Sequence, residues 1–114
     1  MGWFSRRKSS RQARAGRSDG PQMSVDRRAV EAYLREWVGS HRGVEAYVEP
    51  ATNVTATTVV LIAYDGEWTR RALGTPKDAF ELSRRLGIPV YDVNQTGYPQ
   101  RMREWNSRQR RGGA

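Results

Sequence analysis

The sequence contains no cysteine and a single histidine among its 114 residues. The lack of cysteine excludes disulfides, thiolate nucleophiles, cysteine-ligated zinc and cysteine-ligated iron–sulfur clusters within this chain. A catalytic Ser/His/Asp arrangement would need His41, a metal site built on His41 would need distant carboxylates, and no ligand spacing accompanies that residue. We therefore expect no metal, no cofactor and no catalytic residue.

Long apolar runs are also missing. The longest run, residues 59–64, has six residues, whereas a membrane-spanning helix needs roughly 18–20. No apolar segment typical of a secretory signal follows the first basic residues. We expect a cytoplasmic protein without a membrane span, and the length favours one small domain.

Acidic residues are few: 20 Lys and Arg stand against 12 Asp and Glu, which gives a formal charge of +8. The excess lies at the two ends, because residues 1–28 carry +6, residues 29–98 carry −2 and residues 99–114 carry +4. Residues 5–22 are rich in Ser, Arg, Gly and Gln and offer little to bury. We therefore expect a disordered basic arm over 1–23, a folded domain over 24–108 and a disordered basic tail over 109–114.

Apolar spacing predicts the first elements of that domain. From Ser24, a favourable N-cap, apolar residues recur at steps of three and four as far as Val38, which predicts a helix. Alternation over 44–49, closed by Pro50, predicts a half-buried strand. Residues 55–64 are dense in Thr, Val and Ile and predict a second strand, with 67–73 as its return partner.

The dipeptide Asp65-Gly66 predicts the hairpin turn between these strands, as a two-residue type I′ turn with positive φ at both positions. Such a turn sets the pairs Tyr64–Glu67, Ala63–Trp68, Ile62–Thr69, Leu61–Arg70 and Val60–Arg71. Opposed residues share a face, so apolar side chains fall on both faces of the sheet. Helices would cover one face, and the C-terminal segment or a second copy of the chain would cover the other.

The last third of the domain completes the fold. Thr75 and Pro76 begin a second helix as cap and first residue, and Gly87 ends it. Residues 88–93 predict an edge strand because of their proline. Tyr98, Met102 and Trp105 lie at helical steps in a closing helix. The order α-β-β-β-α-β-α predicts the α+β class, with helices on a mainly antiparallel sheet.

Polar residues suitable for catalysis have simpler explanations. His41 follows the first helix and is expected to be a solvated loop residue. The turn explains Asp65, and exposure on a strand explains Glu67, although the two carboxylates could form an acid–base pair. Asp92, with its neighbour Tyr91, is a similar candidate.

Arginine is the main functional signal, since its planar fork of donors suits phosphate and stacks on bases, and basic arms gain affinity for polyanions by counterion release. Aromatic residues among the arginines, such as Trp3, Phe4, Tyr98 and Trp105, are candidates for base stacking or, for the last two, for the core. Glu81 is spaced to pair with Arg85 on the second helix. The candidate nucleic-acid contacts are Arg6, Arg7, Lys8, Arg11, Arg14, Arg17, Arg70, Arg71, Lys77, Arg84, Arg85, Arg101, Arg103, Arg108, Arg110 and Arg111.

Two resemblances bear on function. The order α-β-β-β-α is similar to the double-stranded-RNA-binding domain, and residues 74–79 resemble the lysine-rich start of that family's second helix, which implies a phosphate contact for Lys77; Asp78 stands where that family has a second lysine. Separately, residues 44–50, 64–71, 88–93 and 97–102 resemble a group of small uncharacterised proteins of high-GC bacteria. Some of these are labelled oxidoreductases, which implies redox chemistry without naming its residues.

Three functions remain open. The first is a small non-catalytic binding protein that contacts RNA, the ribosome or DNA through its arginine-rich ends. The second is a small oxidoreductase-like or cofactor-binding protein. The third is a protein–protein adaptor or homodimer that uses the face of Val60, Ile62 and Tyr64. A basic segment behind Trp3 and Phe4 also suits an anionic membrane surface, but two aromatics provide little apolar area for anchoring.

Overall fold

The structure is a computed structural model that describes residues 26–112. The predicted arm over residues 1–23, with Arg6, Arg7, Lys8, Arg11, Arg14 and Arg17, lies outside the described residues, as do Ser24 and the last two residues. The first helix, α1, spans Arg27–Gly39. Asp26, and not the expected Ser24, is its N-cap, because the Asp26 side chain accepts a hydrogen bond from the Ala29 amide at 3.1 Å.

Four strands form one sheet in the order β3-β2-β1-β4. β1 is Glu45–Glu49, β2 is Thr58–Ile62, β3 is Trp68–Ala72 and β4 is Val90–Asp92. The first three strands are antiparallel neighbours, and β4 pairs in parallel with β1. The short β4 therefore lies at an edge of the sheet, as Pro89 immediately before it predicts.

The hairpin between β2 and β3 differs from the expected one by a single residue. Ile62 pairs with Trp68 and Leu61 with Thr69, so the expected register, which set Ile62 opposite Thr69, is wrong. The Ala63 amide donates to the Glu67 carbonyl at 2.8 Å, and the loop between them has three residues. Such loops carry a left-handed residue at their third position, and Gly66 takes it with φ of +96°.

This register changes which side chains share a face, because a one-residue shift moves a whole strand's side chains to the opposite face. Trp68 and Arg70 lie on the face of Val60 and Ile62, whereas Thr69 and Arg71 lie on the face of Val59 and Leu61. The two-residue turn predicts the reverse, with Trp68 and Arg70 on the face of Val59 and Leu61. Apolar residues still occupy both faces, as expected.

One face, here the helical face, packs against α1 and the second helix α2, which spans Pro76–Arg85. Thr75 caps α2 by accepting from the Asp78 amide at 3.1 Å, and Pro76 is its first residue, as predicted. The core on this face consists of Leu34, Trp37, Val44, Ala46, Val48, Val59, Leu61, Ala63, Leu73, Ala79 and Leu82.

The opposite face, here the α4 face, is covered by the C-terminal part of the same chain. A short helix α3, Val93–Thr96, leads to α4, Gln100–Gly112. Met102 packs on Tyr47, Val60 and Ile62 in a second core. The α+β class is confirmed, with α3 as an additional element, and α4 continues through Gly112, past the Arg108 boundary expected for the domain.

Candidate nucleic-acid interface

The predicted basic residues in the described part of the chain do not form one surface. Lys77, Arg84 and Arg85 belong to α2, on the helical face, whereas the five arginines of the closing helix belong to α4, on the opposite face. Arg70 and Arg71 are neighbours on β3 and therefore point to different faces. The two groups of predicted contacts are thus separated by the sheet.

On α2, one of the three predicted contacts is engaged within the protein. Arg85 donates to both carboxylate oxygens of Glu31 on α1, with a shortest distance of 3.0 Å, and not to Glu81 as its spacing suggested. Hydrogen bonds from Arg85 and then Arg35 lower the pKa of Glu31. Arg84 is exposed, with its guanidinium 5.8 Å from the Phe80 ring centroid, and Lys77 is exposed.

Arg70 and Arg71 of β3 are engaged in contacts that support the fold. Arg70 forms two bonds to the carboxylate of Glu49, at 2.9 and 3.0 Å. Burial raises the pKa of Glu49, but the hydrogen bonds from Arg70, Thr58 and Tyr98 together outweigh it, so that pKa lies below its ordinary value. Arg71 lies 3.9 Å above the Tyr33 ring centroid, a cation–π contact between strand and helix.

Arg101 attaches α4 to the hairpin. Its Nε donates to the Ala63 carbonyl at 2.9 Å, and its Nη2 donates to Glu45 at 2.7 Å. The side chain is about three-quarters buried, at 27% exposure. Trp68 adds a second attachment, because its indole N–H donates to the Asn106 side chain at 2.8 Å. Among the residues predicted to contact nucleic acid, Arg101 therefore has a structural role.

The remaining arginines of α4 are exposed. Arg108 donates to the Asp65 carbonyl at 2.9 Å and so lies beside the hairpin loop. Arg111, three residues further, bonds the Ser107 hydroxyl at 2.6 Å, and Arg110 extends from the same turn. Arg103 bonds the Tyr98 carbonyl at the start of the helix. Arg110 and Arg111 lie in the last turn of α4, where positive charge is favourable for the helix dipole.

An exposed tyrosine lies in the loop that Arg108 contacts; the sequence places this residue on the face of a possible dimer but not among the candidates for base stacking. Tyr64, in the hairpin loop, exposes 64% of its surface. Its amide donates to the Arg42 carbonyl at 2.9 Å, and its Cβ lies close to Gly43, where an added Cβ would stand 3.0 Å away. The backbone of Tyr64 is therefore held while its ring stays in solvent. The exposed residues Arg42, Tyr64 and Arg108 at the hairpin loop, together with Arg110 and Arg111 in the last turn of α4, are here called the tip surface.

A depression of about 360 Å³ opens beside Tyr64. It is lined by residues from the end of α1 and from the hairpin, among them Ser40, His41, Arg42, Tyr64, Asp65 and Glu67. This feature, here called the tip depression, could not be found from the sequence, because its two walls lie more than twenty residues apart along the chain.

His41 is not the solvated loop residue that was expected. Its ring stacks on the Trp37 ring at a centroid distance of 3.7 Å, and its side chain is only 18% exposed. Nδ1 lies 2.8 Å from the Trp37 carbonyl, and Nε2 lies 3.2 Å from the Glu67 carboxylate. Nδ1 also lies 2.9 Å from the Ser40 hydroxyl, so His41 is held between α1 and the hairpin.

The other polar candidates have structural contacts. Asp65 accepts from the Glu67 amide at 3.0 Å and so stabilises the loop, while Asp92 caps α3 by accepting from the Asn94 amide at 2.8 Å. Tyr91 lies against Tyr47, with ring centroids 5.3 Å apart. Within residues 26–112, no group of three or more His, Asp or Glu side chains is placed to hold a metal ion.

Comparisons with protein-family models, with curated proteins and with solved structures found no match. The resemblances to the double-stranded-RNA-binding domain and to small proteins of high-GC bacteria therefore stay predictions. None of the helices in the described part of the chain is long and apolar enough to cross a bilayer.

Proposed function

We propose that this protein binds single-stranded nucleic acid through the tip surface, with the arginines of α4 contacting phosphates and Tyr64 stacking on an unpaired base. The observation that carries the proposal is the exposed Tyr64 ring in the loop whose Asp65 carbonyl accepts from Arg108, an arginine with no carboxylate partner in the described residues. Aromatic platforms beside positive charge are typical of proteins that bind single strands. The basic arm over residues 1–23 would add further phosphate contacts.

Charge and shape favour single strands over duplex. Arg108, Arg110 and Arg111 lie within the last five residues of one helix. A flexible single strand can bend its phosphate backbone toward such a small group of charges. An aromatic ring cannot stack on a base inside an intact duplex unless that base is displaced. Unpaired bases, by contrast, are free to stack on aromatic side chains.

The test is a fluorescence-anisotropy titration of the full chain with a labelled twelve-residue oligouridine, the matching oligodeoxythymidine and a duplex of equal length. We expect the single strands to bind more tightly than the duplex, with affinity falling steeply as salt rises. Comparison of the two single strands separates RNA from DNA as the source of the contact. Absence of binding at low salt, or a preference for duplex, would contradict the proposal.

Two variants locate the interface. Tyr64→Ala should lower affinity about tenfold while leaving the salt slope unchanged, since stacking of one base contributes about 1–3 kcal/mol. The double variant Arg110→Gln/Arg111→Gln should make the salt slope shallower by about 1.4, because each single-strand phosphate contact contributes about 0.7.

The matched control is Lys77→Gln/Arg84→Gln, which removes the same number of exposed positive charges from α2 on the helical face. We expect its affinity and its salt slope to stay close to those of the original protein. Equal losses from the two double variants would show that net charge, rather than the tip surface, determines binding.

A further inference from the structure

The tip depression contains hydrogen-bond acceptors that phosphate recognition does not use. Asp65 and Glu67 both line it, beside Arg42 and Tyr64. Two carboxylates against one guanidinium make the depression unfavourable for a phosphate group and favourable for a group that donates hydrogen bonds. Its volume of about 360 Å³ lies at the lower end of the range for small-ligand pockets, about 300–1,000 Å³.

Both carboxylates are held in place by the fold. The Glu67 carboxylate is oriented by the His41 ring, 3.2 Å away, which is itself fixed by stacking on Trp37. The Asp65 carboxylate is oriented by its bond from the Glu67 amide at 3.0 Å. Each carboxylate has a second oxygen, so these contacts leave acceptor capacity on both side chains. Acceptors held in this way provide more selectivity than mobile ones, because less side-chain freedom is lost on binding.

On this basis, which rests on the proposed function, we propose that the tip depression reads an unpaired guanine stacked on Tyr64. A carboxylate only accepts hydrogen bonds. The Watson–Crick edge of guanine presents two adjacent donors, the N1–H and the N2 amino group. Guanine also has the O6 acceptor at that edge, but adenine, cytosine and uracil each have only one donor group there, next to at least one acceptor that a carboxylate repels. Only guanine offers two adjacent donors. Guanine is therefore the base that two fixed acceptors select.

The neighbouring arginines fit the same ligand. Arg42 lies at the rim of the depression, and Arg108 is joined to the Asp65 carbonyl at 2.9 Å. A base that enters the depression has its sugar and phosphates outside it, next to these guanidinium groups. Affinity would then come from phosphate contacts and stacking, and base preference from the two carboxylates.

The test uses the full chain and three labelled RNA decamers: ten uridines, the same strand with one central guanosine, and the same strand with inosine at that position. Inosine keeps N1–H and lacks the N2 amino group. We expect the guanosine strand to bind about tenfold more tightly than the inosine strand, as one hydrogen bond to a charged group predicts. Equal affinities of all three strands would overturn the inference while leaving the proposed function intact. If none of the strands binds, both proposals fail.

Variants assign the preference to the carboxylates. Asp65→Asn keeps an oxygen that can accept from the Glu67 amide, and Glu67→Gln preserves size, so both are suited to retain the fold. Each should reduce the advantage of guanosine over inosine at least threefold and should slightly raise affinity for oligouridine by removing a negative charge near phosphate. The control Glu104→Gln removes an exposed carboxylate of α4, bonded to Gln100, outside the depression. It should keep the guanosine preference; an equal loss in Glu104→Gln would overturn the assignment.

Discussion

The carbonyl oxygen of Arg101 lies directly against Gly66. A Cβ atom on Gly66 would stand 2.0 Å from that oxygen and 2.8 Å from the Cβ of Trp105. Gly66 also has a φ of +96°, in the region that only glycine adopts readily. Gly66 therefore closes the hairpin loop and leaves room for the backbone of α4 to approach it. The register of the hairpin and the position of α4 consequently depend on the same residue.

We expect Gly66→Ala to lower the free energy of unfolding by roughly 2–5 kcal/mol. A left-handed conformation costs an ordinary residue about 1–2 kcal/mol, and forcing extra volume into a close contact adds about 1–3 kcal/mol. Urea denaturation followed by tryptophan fluorescence measures the loss.

Gly87→Ala is the matched control for that variant. Gly87 has a φ of +76°, but an added Cβ there would meet no atom within 4 Å. It should therefore lose only the conformational part, about 1–2 kcal/mol. Equal losses at the two glycines would show that the contact between the loop and α4 contributes nothing to stability.

Arg101 and Arg110 belong to the same helix, but we expect substitution of Arg101 to affect stability and substitution of Arg110 to affect binding. Arg101→Gln should lower the free energy of unfolding by about 2 kcal/mol, because it removes hydrogen bonds of a charged group to Ala63 and Glu45. Arg110→Gln should change stability by less than about 0.5 kcal/mol, as is usual for exposed positions, while lowering affinity for oligouridine. Thermal unfolding and anisotropy on both variants measure the two effects, and similar stabilities of the two variants would contradict the structural role of Arg101.

The hairpin shows how far sequence reasoning reaches. Alternation and β-branched residues predicted both strands and the need to cover both faces. Asp-Gly, however, is compatible with two-residue and three-residue loops, since Gly66 supplies the positive φ in either. The choice depends on the contact between Gly66 and Arg101, which are 35 positions apart in the chain. The register, and with it the faces of Trp68 and Arg70, could therefore not be predicted locally.

The same limit applies to the candidate site. Composition made arginine the candidate contact residue, but only the fold separates Arg101 and Arg85, which bond within the protein, from exposed Arg110. The partner of Arg85 is Glu31, 54 positions away, and a helical spacing rule finds only Glu81. Tyr64 and His41 each looked ordinary, because their roles depend on the loop after α1 lying beside the hairpin.

Glu49 should make the protein sensitive to acid. Its pKa lies below the ordinary 4.5 because hydrogen bonds from Arg70, Thr58 and Tyr98 outweigh burial. The folded state therefore holds this proton less tightly than the unfolded state does. Its contribution to stability is complete above about pH 4.5 and is lost as the pH falls through the lowered pKa. We expect the free energy of unfolding of Glu49→Gln to fall less steeply in acid than that of the original protein, as urea titrations at several pH values would show.

Tyr98→Phe is the graded control for Glu49. It removes one of the donors to the carboxylate, so the pKa of Glu49 should move back toward 4.5 without reaching it. A carboxyl-carbon NMR titration measures that pKa directly. Part of the acid slope should survive in Glu49→Gln, because the pKa of Glu31 is also lowered, by Arg85 and Arg35. A Glu49 midpoint at or above 4.5 would contradict the hydrogen bonds that Arg70, Thr58 and Tyr98 donate to this carboxylate.

Tyr47 should make the protein sensitive to alkali. Burial, together with the hydrogen bond that Tyr47 donates to Glu45 at 3.0 Å, raises the pKa of the phenol to about 12. The unfolded chain releases this proton near pH 10. The contribution to stability is therefore complete below pH 10 and is lost as the pH rises toward 12.

The variant Tyr47→Phe tests this. Its loss of stability between pH 10 and 12 should be smaller, and a titration followed by absorbance at 295 nm should lack the last phenolate step that the original protein shows. If all phenolates in the original protein form together near pH 10 while it stays folded, Tyr47 is not buried and bonded to Glu45 in solution as it is in the structure.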